Sequence, residues 1–259
     1  MTGLKLITGT SPEYYFFKDK VLQHFEEGKS ESFIYILPVN RAVRYFKQQL
    51  YSEVESKGII DPPVFTFNSL IQKFFRKLYP NTKIIGSTIR ILILNEVLSS
   101  VKPELKLTNK NTELSKSIIR KIDSVINELK EFGYDSNSQD KHELQSILKL
   151  SDFDIIINKL NDFYNSSQFS LIDESSLLGK TVDELDLELF RKLFPTVEKI
   201  YINGYGIYTP PMLELIRKFK SWCTGEILLE YNSENTDLFQ NTFNAFEALN
   251  HITDATEVL

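Results

Sequence analysis

A glycine-containing turn near the start of the chain has residues that could bind phosphate. An apolar predicted strand ends there at Thr8-Gly9-Thr10-Ser11, and a helix is predicted to follow. In a working phosphate loop, G-x-x-x-x-G-K-[ST], backbone amides hold phosphate and the lysine neutralises its charge. Counted from Gly9, the second glycine and the lysine are replaced by Tyr14 and Tyr15. The turn is therefore predicted to be a degenerate phosphate loop.

Alternating strands and helices on either side of a helical middle predict the fold class. Three strand–helix units lie in about the first 80 residues, where a helix is predicted at Glu13–Glu27, and the alternation resumes after about residue 195. Continuous apolar strands such as SFIYIL are typical of a parallel sheet covered on both faces. Between them, apolar residues recur three and four apart and no strand is predicted. The prediction is an α/β fold with a doubly wound parallel sheet and a large all-helical insertion at 87–194.

The composition narrows the possible functions. The net charge of -5 gives no general attraction to nucleic acid or to an acidic membrane, so any DNA contact needs a local basic patch. The single cysteine excludes a disulfide framework and a cysteine-ligated cluster within this chain, and the 3 histidines show no ligand spacing. We therefore predict no metal and no cofactor. Neither a signal peptide nor an apolar run of about 20 residues is present, so a cytoplasmic protein without a membrane partner is expected.

The segments after the second and third predicted strands resemble the single-stranded DNA path of superfamily-one helicases of the UvrD and RecB type. The run N-R-A from Asn40, with Arg44 one turn further on, is similar to their T-N-K-A-A segment. The run T-F-N-S from Thr66 is similar to their T-F-H-S segment, with Asn68 in place of histidine. The resemblance implies that these residues bind DNA, together with Arg41.

The same resemblance points to a second missing catalytic element. In these helicases a later strand ends in Asp-Glu, which holds magnesium and activates water. This chain has Asn203-Gly204 there, so the position has neither a carboxylate charge nor a general base. The resemblance thus implies a degenerate metal and base position in an inactivated helicase lobe built on a RecA-like parallel sheet.

The order of the motifs resembles one family in particular, the AddB-type subunit of ATP-dependent nuclease–helicase complexes. The run ILPVNRA is similar to that family's V-P-T-Q-R-L-A, and YINGYGIYTPPMLELI is similar to its D-G-F-x-x-F-T-P-x-E. The resemblance implies a helicase lobe at 1–86 and 195–259 and a helical insertion at 87–194. It also implies DNA and an AddA-type subunit as partners, and an amino-terminal fragment followed in the whole protein by a second lobe and a nuclease domain.

Each candidate DNA-binding residue also has a plainer interpretation. Asn40, Arg41 and Arg44 could be an ordinary helix cap with a solvated face. Thr66 and Asn68 could cap the next helix. The three tyrosines near the later strand-end could stack on bases or belong to the core and its rim; they are Tyr201, Tyr205 and Tyr208.

Two functions follow from these observations. The first is a non-catalytic helicase-like domain of a double-strand-break repair complex, which binds or guides DNA and docks a motor subunit without ATP hydrolysis. The alternative is a purely structural interaction domain, in which the DNA and ATP surfaces are vestigial and the helical middle binds a protein. An active NTPase is the least favoured function, because the phosphate loop has no lysine and the strand-end has no acid.

Overall fold

The computed structural model describes residues 3–10, 12–54, 61–106, 114–134, 150–166, 170–235 and 237–259. The chain divides into two compact units. We call Met1–Phe74 with Glu184–Leu259 the sheet unit, and Phe75–Asp183 the helical unit. The domain boundaries expected at 86/87 and 194/195 stay a prediction, because compactness alone does not show which segment folds independently.

Strands and helices alternate along most of the described chain. The strands are β1 Gly3–Gly9, β2 Phe33–Ile36, β3 Val64–Phe65, β4 Lys83–Ile85, β5 Leu171–Asp173, β6 Lys199–Asn203, β7 Thr224–Glu230 and β8 Ala255–Val258. The α-helices are α1 Lys18–Glu26, α2 Asn40–Glu53, α3 Phe67–Leu78, α4 Ser87–Val101, α5 Lys116–Glu131, α6 Leu150–Ser166, α7 Glu174–Glu184, α8 Leu187–Leu193, α9 Pro210–Trp222 and α10 Gln240–Asn250.

The sheet unit contains the predicted parallel sheet. Within the described residues, six strands pair in the order β3-β2-β6-β7-β1-β8, and every pairing is parallel. Their carboxyl ends therefore share one edge of the sheet, which is where α/β proteins place ligands. The expectation of a RecA-like α/β fold is confirmed.

Aromatic side chains fill the layer between this sheet and helices α1 and α2. The helix α2 buries one residue per turn, Ala42, Phe46 and Leu50, because this spacing places them on one face. Phe46 meets Tyr35 of β2 edge to face, with ring centres 4.9 Å apart. Phe17, which is fully buried, lies against Tyr201 of β6 at 5.1 Å. This packing fixes the start of α2 at the carboxyl edge of the sheet.

The helix predicted from Glu13 begins later, at Lys18, so its predicted start is wrong. The preceding residues form tight turns in which the Phe16 amide donates to the Glu13 carbonyl at 3.1 Å and the Lys18 amide to the Tyr15 carbonyl at 2.8 Å. Both hydrogen bonds span three residues instead of the four of an α-helix, so the α-helix begins only after them. Ser11, the last residue of the predicted phosphate turn, lies outside the described residues.

Sequence periodicity missed three strands, β4, β5 and β8. Strand β5 pairs in parallel with β4 as a two-stranded sheet of the helical unit, in a segment where only helices were predicted. Three residues are too few to show a period of two, and the partner strand lies about 90 residues earlier, outside the range that local patterns report. Strand β8 was missed because all four of its side chains are exposed, which removes the apolar signal.

The helical unit packs α4, α5 and α6 around an apolar core and contains two ion pairs of low exposure. Arg90 binds both carboxylate oxygens of Asp123, at 2.7 and 2.8 Å. Lys130 Nζ lies 2.7 Å from Asp173 Oδ2. No helix in the described part of the chain combines the length and the apolar character needed to cross a membrane.

Candidate functional site

The carboxyl ends of β3, β2 and β6 are held together by a tyrosine. The Leu37 amide, just after β2, donates to the Phe65 carbonyl of β3 at 2.8 Å. Tyr205, just after β6, donates its hydroxyl to the Leu37 carbonyl at 2.8 Å and accepts from the Phe67 amide at 3.4 Å. Its ring packs on Phe67 at 4.9 Å, and burial raises the pKa of its hydroxyl. Tyr205 therefore positions the strand-ends on which the predicted DNA residues lie.

The other two tyrosines proposed as stacking platforms lie inside the sheet unit. Tyr201 is 1% exposed, and its hydroxyl is 3.2 Å from His24 Nε2. Burial raises its pKa to about 12. Tyr208 is also buried. These contacts favour the interpretation of the tyrosines as core and rim.

The residues predicted to form a degenerate phosphate loop belong in part to the sheet. Thr8 and Gly9 are the last residues of β1, and the Thr8 hydroxyl donates to the Glu257 carbonyl at 3.4 Å. A Cβ added to Gly9 would lie 3.2 Å from Leu259 Cδ1, so the side chain of Leu259 covers this glycine. Thr10 is exposed, and Ser11 lies outside the described residues. The space beside Gly9 is thus occupied by an apolar side chain.

Asn203, at the position predicted to be a degenerate metal site, is a buried hydrogen-bond donor. Its side chain is 3% exposed, and Nδ2 donates to the Tyr14 carbonyl at 2.7 Å and to the Tyr35 hydroxyl at 3.1 Å. The amide therefore ties the segment after the phosphate loop to β2 and β6. A carboxylate has no proton to donate to Tyr14, so the role filled by Asn203 depends on the amide.

Gly204 is held in a backbone conformation that other residues rarely adopt. Its φ is 84°, and a Cβ added there would lie 3.0 Å from Pro38 Cγ. A glutamate at this position would be both strained and crowded. Asn203, Gly204 and Gly9 are thus all in close contact with other residues of the sheet unit. Across the described part of the chain, no group of three or more His, Cys, Asp or Glu side chains could hold a metal ion.

Gly204→Ala is expected to lower the free energy of unfolding by about 2 kcal/mol, from backbone strain and contact with Pro38. Gly28→Ala is the matched control, because Gly28 also has positive φ, 70°, but nothing lies within 4 Å of an added Cβ. The control should therefore lose less stability than Gly204→Ala in urea unfolding. Equal losses would show that the contact with Pro38 carries no energy.

The two predicted arginines lie on the exposed face of α2. Arg41 and Arg44 are both exposed, and among the described residues neither guanidinium has a carboxylate within ion-pair distance. Asn40 is the first residue of α2 and is exposed, but the cap position is Val39 and no side chain caps the helix. The alternative in which Asn40 caps α2 is therefore wrong.

The two predicted DNA-binding residues after β3, Thr66 and Asn68, differ in burial and in their contacts. Thr66 is buried, its hydroxyl accepts from the Ser69 amide at 3.1 Å, and its own amide donates to Ser69 Oγ at 2.9 Å. This reciprocal pair is a capping box at the start of α3, so the capping interpretation holds for Thr66. Asn68 is exposed one residue beyond the start of the helix. The structure thus leaves Asn40, Arg41, Arg44 and Asn68 accessible.

Two side chains beside the arginines were not predicted from the sequence. Tyr45 and Gln48 line, with Arg41 and Arg44, a hollow of about 320 Å³ on α2. The four residues stand at positions i, i+3, i+4 and i+7 of one helix, which is the spacing of a single face. That spacing was the signal that could have found them.

The parallel sheet and its strand order define a RecA-like α/β protein. The chain belongs to the family of AddB N-terminal domains, because the family model described as "ADDB, N-terminal" matches residues 9–258. The resemblance inferred from the sequence is thereby confirmed at the level of the family. A comparison with curated proteins finds none that matches the chain.

Proposed function

We propose that this chain is a non-catalytic helicase-like domain of a DNA double-strand-break repair complex. It binds or guides DNA and docks an AddA-type motor subunit without hydrolysing ATP. The observation that carries the proposal is a contrast along one sheet edge. Asn203 and Gly204 are engaged in structural contacts with Tyr14 and Pro38, whereas Arg41 and Arg44 are exposed to solvent.

The start of α2 supports phosphate binding. The first amides of a helix lack intrahelical partners and carry a partial positive charge. No side chain caps α2, so these amides are not engaged by a capping oxygen. Arg41 and Arg44 stand within the first two turns and add two full charges to the same end. This local basic patch is what the chain requires to bind DNA with a net charge of -5.

The double variant Arg41→Ala/Arg44→Ala is expected to weaken binding of single-stranded DNA by about tenfold at low salt. Log affinity falls with log salt, and each phosphate neutralised on a single strand adds about 0.7 to the steepness of that fall. Loss of two such contacts should therefore make the slope shallower by about 1.4. Fluorescence anisotropy with a labelled oligothymidylate, over a series of salt concentrations, measures both quantities.

The control removes the same charge elsewhere in the sheet unit. In Lys192→Ala/Arg217→Ala both residues are exposed, Lys192 on α8 and Arg217 on α9. This variant should keep the affinity within about twofold and the slope unchanged. An equal loss of affinity in both double variants would show that DNA does not bind specifically at Arg41 and Arg44. No detectable binding by the wild type at low salt would contradict direct DNA contact.

A stripe of exposed apolar residues favours the alternative, a protein-interaction domain. Ile118, Val125 and Phe132 stand seven residues apart on α5 and at its end, and they are 44%, 37% and 50% exposed. Seven-residue spacing places them on one helix face. Retention of an AddA-type subunit by a chain that does not bind DNA would favour this function over the first.

A further inference from the structure

Helix α5 has an exposed apolar stripe beside the face that it buries in the helical unit. The residues of the buried face pack in the core of that unit; they are Ile119, Ile122 and Ile126. The residues of the stripe are each more than a third exposed; they are Ile118, Val125 and Phe132. The stripe runs for about 21 Å, because each helical residue adds about 1.5 Å. Exposed apolar residues that line up on one face, unlike scattered ones, indicate a contact surface.

Two charged side chains stand in the same stripe and have no partner within their own helix. Lys121 and Glu128 are exposed and follow Ile118 and Val125 by three residues each, so they share the face of the stripe. Neither has an opposite charge three or four residues away, where an intrahelical pair would form. Among the residues that the structure describes, neither lies within ion-pair distance of an opposite charge. The stripe therefore offers one cation and one anion to another molecule.

The pattern of the stripe is complementary to its own reverse. Along the helix its side chains are apolar, basic, apolar, acidic and apolar, in the order Ile118, Lys121, Val125, Glu128 and Phe132. A two-fold axis at Val125 brings a second α5 antiparallel to the first, with Val125 facing its own copy. Ile118 then lies opposite Phe132, and Lys121 lies within one residue of Glu128. Because a two-fold contact is self-complementary, each of these pairs forms twice.

The dipole of α5 does not explain this order of charges. Anions are favoured at the start of a helix and cations at its end. Helix α5 instead begins with Lys116 and ends with Glu131, and its basic residue in the last turn, Lys130, is bound to Asp173. In an antiparallel pair the acidic end of each helix lies beside the basic end of the other. The order of charges therefore suits a contact between two helices.

We infer that the α5 stripe docks a second copy of this chain, packed antiparallel on a two-fold axis at Val125. The inference goes beyond the proposed function, since the contact requires neither DNA nor a motor subunit. The start of the surface is fixed before contact, because Ser115 caps α5 by accepting from the Ile118 amide at 3.3 Å. Contact along one helix face is at the small end of protein interfaces, so a Kd in the micromolar range is expected.

A charge swap tests the pairing directly. Sedimentation equilibrium of the whole chain without DNA, over a series of concentrations, measures the Kd of association. Lys121→Glu and Glu128→Lys each place like charges opposite one another at two symmetric positions, and each should raise the Kd about tenfold. The double variant Lys121→Glu/Glu128→Lys restores opposite charges and should return the Kd to within about threefold of the wild type. Contact with a different chain would not be restored by this swap.

A substitution at the axis tests the apolar part of the contact. Val125→Glu brings two carboxylates together at the centre of the pair, so association should be lost. Leu92→Glu is the matched control, because Leu92 is a 66% exposed residue of α4 in the same unit. It should leave the Kd unchanged, and an equal loss in the control would show that association is not located on α5. Urea unfolding midpoints equal to the wild type confirm that each variant is folded.

The remaining outcomes contradict the inference without touching the proposed function. A wild type that stays monomeric at about 0.1 mM, or a charge swap that fails to restore association, overturns the antiparallel pairing. If the wild type is monomeric and Val125→Glu abolishes retention of an AddA-type subunit, the stripe docks that subunit and the second copy is wrong. The proposed function is judged separately by oligothymidylate binding, which Val125→Glu should leave unchanged.

Discussion

Asn203→Asp should lower the free energy of unfolding by about 3 kcal/mol near neutral pH, although the two side chains have the same shape. The variant loses the donor that binds the Tyr14 carbonyl at 2.7 Å and the Tyr35 hydroxyl at 3.1 Å. It places a carboxylate oxygen against a carbonyl oxygen at a site that is 3% exposed. An unsatisfied buried group costs about 1–3 kcal/mol, and more when it is charged.

The loss of stability caused by Asn203→Asp should be larger near neutral pH than near pH 4. Burial raises the pKa of the introduced carboxyl above the unfolded value of about 3.9. The full deficit is therefore present above the raised folded pKa and shrinks as the pH falls toward about 4, where a protonated carboxyl can again donate to Tyr14. Fluorescence of Trp222, the only tryptophan and a residue of the sheet unit, follows urea unfolding at both pH values.

Asn203→Ala is the control, since it removes the donor without adding a charge. Its loss should be smaller and should not change with pH across this range. Asn203→Asp should also show no ATP hydrolysis at saturating magnesium, because Tyr14 and Tyr15 still stand where the phosphate loop needs glycine and lysine. Wild-type stability in the aspartate variant would contradict the structural role of Asn203. ATP turnover by that variant would contradict the prediction that the phosphate loop is degenerate.

The sequence predicted the sheet because its strands are unbroken apolar runs between helices of ordinary length. Strand β6 and helix α9 lie after residue 195, where the alternation was predicted to resume, and the proline pair fixes the start of α9. Contacts over long sequence separation could not be predicted in the same way. The partner of Asn203 is the backbone of Tyr14, 189 residues earlier, so the residue type suggested a missing acid and could not reveal the hydrogen bond that replaces it.

The sequence predicted only those features of the candidate site that depend on residues close together in the chain. Arg41 and Arg44 are three residues apart, so a helical pattern places both on one exposed face. Thr66 stands directly before the first residue of α3, where a hydroxyl side chain is a common cap, so local sequence also suggested its capping role. By contrast, Tyr205 supports the strand-ends through hydrogen bonds to residues of two other strand–helix connections, and no local pattern encodes those partners.

Lys130→Met is expected to give the largest loss of stability, about 3–5 kcal/mol, because it leaves a buried carboxylate without its cation. Lys130 Nζ lies 2.7 Å from Asp173 Oδ2, and the two side chains are 5% and 0% exposed. Asp173 also accepts from Ser175 Oγ at 2.9 Å and from the Ser176 amide at 3.0 Å, so its oxygens are held in place as α7 begins. Urea unfolding followed by circular dichroism measures the loss.

The difference in stability between the wild type and Lys130→Met should depend on pH. Burial alone would raise the pKa of Asp173, but Lys130 and the serine donors hold it below its ordinary value. Its contribution to stability is therefore present above the unfolded pKa of about 3.9 and is lost as the pH falls further, through the folded value. In Lys130→Met burial prevails and the pKa of Asp173 rises, so the gap between the two proteins should widen from about pH 4 to neutrality.

Two further variants separate the buried charge from general effects of substitution. Glu214→Gln breaks the half-exposed pair with Arg217, 3.1 Å apart, and should change stability by less than about 1 kcal/mol. Lys130→Met/Asp173→Asn removes both charges and should be more stable than Lys130→Met alone, because no uncompensated ion remains in the interior. If the double variant were the less stable of the two, the hydrogen bonds that Asp173 accepts from Ser175 and Ser176 would outweigh the cost of its uncompensated charge.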